Sequence, residues 1–115
     1  MSGEISLNPF LTFRQSEERE YGSIRLYDSA AAGSDQLPFL YSQFVVAPGS
    51  TSRRDQHEVL EVWVILSGSG KLLYDGGEYK VGPGDVVHFN SMRVHQVMNE
   101  GPEEMRVFSF WWKRG

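Results

Sequence analysis

The sequence predicts an all-β domain, a sandwich or barrel built from about eight or nine short antiparallel strands. Two observations carry the prediction. Glycines recur as turn signals at Gly49, Gly68, Gly70, Gly76-Gly77, Gly82-Pro83-Gly84 and Gly101-Pro102. Between them lie short runs rich in β-branched and aromatic residues, which is the spacing of strands and turns rather than of helices. Closing such strands into a barrel also removes exposed sheet edges.

The elements follow in chain order. Residues 10–14 and 23–27 are expected to be the first strands. The run Ser16-Glu17-Glu18-Arg19-Glu20 has room for one helical turn before Gly22, although such a charged run also suits a solvated face. Residues 28–37, rich in Ala, Ser, Gly and Asp, read as a loop long enough to form a lid. Strands are then expected over 39–47, 60–66, 71–74, 85–89, 95–98 and 105–112. Asp75-Gly76 supplies the positive-φ residues of a tight hairpin between Tyr74 and Tyr79. Pro83 and Gly84 mark a second tight turn.

The last run alternates, with Phe108, Phe110 and Trp112 on one face and Val107, Ser109 and Trp111 on the other. Aromatic residues on both faces exceed what one core needs. An interface between two copies of the chain is therefore expected on one side, to which the segment around Phe10 to Phe13 can add a strand.

At 115 residues the chain is one domain. It has no cysteine, which excludes disulfides, thiolate zinc sites, iron–sulfur clusters and a cysteine nucleophile. A transition metal would have to be held by imidazole and carboxylate, and the histidines are three: His57, His88 and His95. The net charge of −4 argues against nucleic acid as a partner. No run approaches the ~20 apolar residues of a membrane helix. The first ten residues lack the charge and apolar pattern of a secretory signal, so a cytoplasmic protein is expected.

Chemistry concentrates between Gly49 and Gly68, where Asp55, His57 and Glu61 fall at spacings of two and four. On one strand, residues two apart share a face. Further along come His95 and Asn99. Two imidazoles and two carboxylates can thus converge inside one small barrel, a donor set that suits Fe, Mn, Zn, Ni or Co in the divalent state.

These residues resemble the motifs of the cupin family. Its first motif is a glycine, five residues, His-x-His, three residues, Glu, six residues and a glycine. Here Gly49, Asp55-Gln56-His57, Glu61 and Gly68 stand at those spacings, with Asp55 where the first histidine belongs. The second motif matches at Pro83-Gly84-Asp85, His95 and Asn99.

The resemblance implies a double-stranded β-helix, a jelly-roll barrel of about eight to ten antiparallel strands. Residues 39–115 would form it, with 1–38 packing on it or on a partner subunit. It further implies a homodimer and one divalent transition metal held by Asp55, His57, Glu61 and His95. Without Asp55 the set is two histidines and one carboxylate; a metal-free pocket is the third form the family takes. The expected activity is that of a metal-dependent enzyme acting on a small organic substrate with a carbonyl or carboxylate, or a sugar-like one. Isomerase, cyclase, lyase and dioxygenase chemistry all occur on the fold. The rival readings are a non-catalytic small-molecule-binding module and a metal-free sugar epimerase or isomerase using His57 or His88 as base.

Outside the motif, His88 is a candidate acid–base residue, and Arg93 is a candidate clamp for a substrate carboxylate or phosphate. Trp63 and Trp111 are candidates for the apolar wall of a substrate pocket.

Overall fold

The computed structural model describes residues 9–29 and 37–113. Among the described residues there are nine strands and no helix, so none is long and apolar enough to cross a membrane. The strands are β1 (Phe13–Glu18), β2 (Ile24–Ser29), β3 (Leu40–Val46), β4 (Leu60–Ser67) and β5 (Gly70–Tyr74). They continue with β6 (Gly77–Val81), β7 (Val86–Phe89), β8 (His95–Met98) and β9 (Met105–Trp112). All pairings between them are antiparallel. They form a six-stranded sheet, in the order β1-β2-β3-β9-β4-β7, and a three-stranded sheet, β6-β5-β8. The all-β jelly-roll expectation is met.

Register sorts the side chains of the large sheet. Ile24 lies opposite Val46, Phe44 opposite Val107, and Ile65 opposite Val107 on the other side. These residues form a buried cluster with Trp63, Phe89 and Met105, and the small sheet contributes Leu72, Val81 and Val97. On the same inward parity, nearer one end, lie Glu61, Ser109 and Trp111. The opposite face carries Val62, Val64, Phe108, Phe110 and Trp112.

Two local expectations change. The first strand begins at Phe13 rather than at residue 10, and it runs through Ser16, Glu17 and Glu18. The charged run is therefore mostly strand, not a helical turn. As a sheet edge with only β2 beside it, β1 keeps most of these side chains in solvent, where charge is tolerated. Asp28 and Ser29 belong to β2; residues 30–36 of the expected loop lie outside the described residues.

Gly68 shows why the first motif ends in glycine. Its φ is +76°, and a Cβ there would lie 2.5 Å from the Glu104 carbonyl oxygen and 2.7 Å from the Met105 Cα. The end of β4 can pass over the start of β9 only because this residue has no side chain.

Candidate metal centre

The segment after Gly49 is laid along β8. The Ser52 amide donates to the Val97 carbonyl, and the Ser52 hydroxyl accepts from the Val97 amide. Asp55 and His95 exchange both backbone hydrogen bonds, at 3.1 and 3.0 Å, so the two residues sit directly opposite each other. The Met92 amide donates to the His57 carbonyl, fixing that turn against the loop before β8. One ligand atom from each of Asp55, His57 and His95 then lies within 4.8 Å of the others.

The three side chains form a gradient from floor to mouth. The His95 side chain is 3% exposed, that of Asp55 24% and that of His57 47%. A cation held among them would be buried on the His95 side and reachable from the His57 side.

The His95 ring is fixed in plane and in tautomer. It stacks on Phe89 at 4.4 Å, with 5° between the rings, and meets Trp63 edge-on at 5.3 Å. Its Nδ1 lies 3.1 Å from the Arg93 carbonyl oxygen. A carbonyl only accepts, so Nδ1 carries hydrogen and Nε2 is the atom turned toward the centre. Nε2 is 3.0 Å from Glu61 Oε1, yet that contact is out of line for a hydrogen bond and leaves the buried nitrogen without a hydrogen-bond partner among the described residues. In the metal-free protein the Glu61 carboxylate is its counter-charge, and a metal on Nε2 would stand where the proton does. The spacing to Oε1 is also close to that of two adjacent ligands sharing one ion.

Glu61 is held by its other oxygen. Oε2 accepts from the Trp63 indole N–H at 2.8 Å and from the Ser109 hydroxyl at 2.5 Å. Burial by itself pushes the Glu61 carboxyl up, but His95, Ser109 and Trp63 together outweigh it and hold the group below the usual carboxylate range. For His95, burial pushes the imidazole down. The Glu61 carboxylate, the Arg93 carbonyl and Asp55 more than offset that, so its pKa is raised.

These directions fix a pH dependence for the metal-free protein. The contribution of a lowered carboxyl is full above its ordinary value of 4.5 and is lost as pH falls through the lower folded value. The contribution of a raised imidazole is full below 6.5 and is lost as pH rises through the higher folded value. Thermal melts of chelator-treated protein are therefore expected to peak between pH 4.5 and 6.5 and to fall on either side. A profile that stays level from well below pH 4.5 to well above pH 6.5 would contradict the ion pair.

The centre opens into a cavity of about 290 Å³, near the lower limit for organic ligand sites. Leu26, Phe44 and Trp111 supply its apolar wall. Asp28, Ser42 and Arg53 supply polar groups beyond the ligand candidates.

Of the other residues singled out in the sequence, Trp111 lines this cavity, while Trp63 is 2% exposed and lies beneath Glu61. His88 has the opposite parity to Phe89 on β7 and is exposed, facing a separate groove that also includes Tyr79 and Val87. The Arg93 guanidinium turns to Asp75 at 3.3 Å, and only its backbone carbonyl reaches the centre, through His95. The structure thus brings neither His88 nor the Arg93 side chain to the three clustered ligands. Ser109 was not singled out in the sequence. Its signal was a hydroxyl on a face otherwise filled by Met105, Val107 and Trp111.

Comparison with known proteins places this geometry. The family model described as "Cupin domain" matches residues 42–111, well over half the chain. Among solved structures, a predicted oxalate decarboxylase from Thermotoga maritima superposes with a TM-score of 0.77 at 19% identity, covering 90% of this chain and 94% of that one. A cupin 2 conserved barrel domain protein from Salinispora arenicola gives 0.69 at 25% identity, covering 96% and 91%. The cupin domain of an XRE family transcriptional regulator from Enterobacter cloacae gives 0.66 at 21% identity, covering 80% and 98%.

Proposed function

We propose that this chain, which belongs to the cupin domain family, is a metal-dependent enzyme acting on a small organic substrate with a carbonyl or carboxylate. The observation that carries the reading is the cluster of Asp55, His57 and the buried His95, one ligand atom from each lying within 4.8 Å of the others. A divalent transition metal there would be held by Asp55, His57 and His95, with Glu61 beside His95. When bound, it would polarise a substrate oxygen or acidify a bound water, which is the chemistry of isomerases, cyclases, lyases and dioxygenases.

The protein's own part is positioning and exclusion. The ring stack on Phe89 and the Arg93 carbonyl aim the His95 nitrogen. Trp63 and Ser109 keep the Glu61 carboxylate ionised in a buried place. Leu26, Phe44 and Trp111 shield the substrate body from water.

We read the working form as a cytoplasmic homodimer. The outward face of β9 and β4, with Phe108, Phe110, Trp112, Val62 and Val64, supports an interface there. A non-catalytic binding module is the second reading, favoured by the likeness to the regulator domain from Enterobacter cloacae.

Metal uptake tests the first reading. Chelator-treated protein is dialysed separately against manganese, ferrous iron, cobalt and zinc, then analysed by mass spectrometry. Retention of about one ion per chain is expected for at least one metal. Substoichiometric retention of all four after reconstitution overturns it.

A further inference from the structure

The geometry points to Arg53 as the residue that takes the substrate's carboxylate, which makes the substrate a small monocarboxylic acid with a hydroxyl or oxo group beside that carboxylate. The inference rests on the metal reading, since the neighbouring oxygen is the one that would meet the ion.

Arg53 precedes Asp55 by two residues and, like Asp55 and His57, lines the cavity. Among the described residues lining that cavity it is the only lysine or arginine. Its Nε donates to Asp55 Oδ1 at 3.2 Å, and its Nη1 lies 3.9 Å from Glu18 Oε2. A guanidinium offers five N–H donors. Among the described residues the two Nη groups, which carry four of them, make no hydrogen bond, and the side chain is 56% exposed. Glu18 sets where the guanidinium sits without occupying its fork. Asp55 would share its charge with a bound ion, which leaves Glu18, 3.9 Å from Nη1 and not hydrogen-bonded to it, as the remaining counter-charge. A planar fork two residues before a candidate ligand suits two-point binding of a carboxylate whose neighbouring oxygen faces the centre.

The other walls narrow the class. Asp28 repels a second anionic group, which disfavours diacids and phosphate esters. Leu26, Phe44 and Trp111 accept an apolar tail. The cavity of about 290 Å³ keeps the molecule small.

The test uses mandelate, a 2-hydroxy acid with an apolar body, and mandelamide, its uncharged counterpart. Calorimetric titrations are run on manganese-loaded and on metal-free protein, with metal content measured separately for each variant. Wild type is expected to bind mandelate roughly 10-fold or more tightly than mandelamide, in line with charge-assisted hydrogen bonding. Arg53→Gln should reduce that preference to within about 3-fold while leaving metal content and mandelamide binding unchanged. Arg53→Lys, which keeps the charge but not the fork, should fall between and serves if Arg53→Gln does not fold.

A wild type with no preference for mandelate overturns the inference, as does a preference that survives in Arg53→Gln. Loss of metal-loaded protein altogether would instead show in the metal analysis and overturn the metal reading, while the metal-free titration still decides the role of Arg53.

Discussion

Replacing His95 by alanine is expected to lower metal affinity by well over the 10–100-fold that loss of a supporting residue typically costs. His95 is the deepest of the clustered groups and the most constrained. Its ring is stacked on Phe89, crossed by Trp63 and tied through Nδ1 to the Arg93 carbonyl, which leaves Nε2 beside Glu61 in a residue that clusters with Asp55 and His57. That arrangement spends a buried polar group on a position where a leucine would pack at less cost, unless the nitrogen binds something. Metal content of His95→Ala, set beside its circular dichroism spectrum, checks the expectation. A folded variant retaining full occupancy would remove His95 from the centre.

Glu61→Leu is expected to destabilise the metal-free protein by about 3 kcal/mol or more. The carboxylate answers three buried groups at once: the Trp63 indole N–H, the Ser109 hydroxyl and the His95 imidazole. Leucine fills the space but leaves the indole N–H and the hydroxyl without their acceptor and the charged ring without its nearest carboxylate, each at its own desolvation cost. Urea unfolding at pH 5.5, inside the window where both members of the pair are charged, measures the loss. Glu61→Gln keeps one acceptor for Trp63 and Ser109 and should fall between wild type and Glu61→Leu. A loss below about 1 kcal/mol for Glu61→Leu would mean that the network contributes little beyond a neutral hydrogen bond.

Much of this architecture was legible in the amino-acid order because turns and strands are local. Asp75-Gly76 and Gly82-Pro83-Gly84 constrain the chain by their own φ preferences, and the expected strands from β2 onward fell within two residues of their limits, whereas β6, between these two turns, was expected only as the far arm of a hairpin. The edge strand β1 was misplaced because its charged residues carry no inward–outward pattern, and only pairing with β2 holds them extended.

In the site, spacing and resemblance singled out Asp55, His57, Glu61 and His95 as candidate ligands, and the structure clusters Asp55, His57 and His95 with Glu61 beside His95. They did not reveal that Asp55 faces His95 across a two-residue bridge, since that depends on the course of the segment along β8. The parity of β7 decides which way His88 faces, and it became readable only when Phe89 was seen on the inner side, opposite Glu61. Trp63 and Ser109 support Glu61 from different strands, a convergence that depends on the register of β4 against β9.

The most direct test of the metal centre is anomalous diffraction from crystals of the cobalt-loaded protein, recorded on either side of the metal's absorption edge. One strong peak per chain is expected, within bonding distance of His95 Nε2, His57 and Asp55. A peak elsewhere, or none in crystals grown with excess cobalt, would contradict the account.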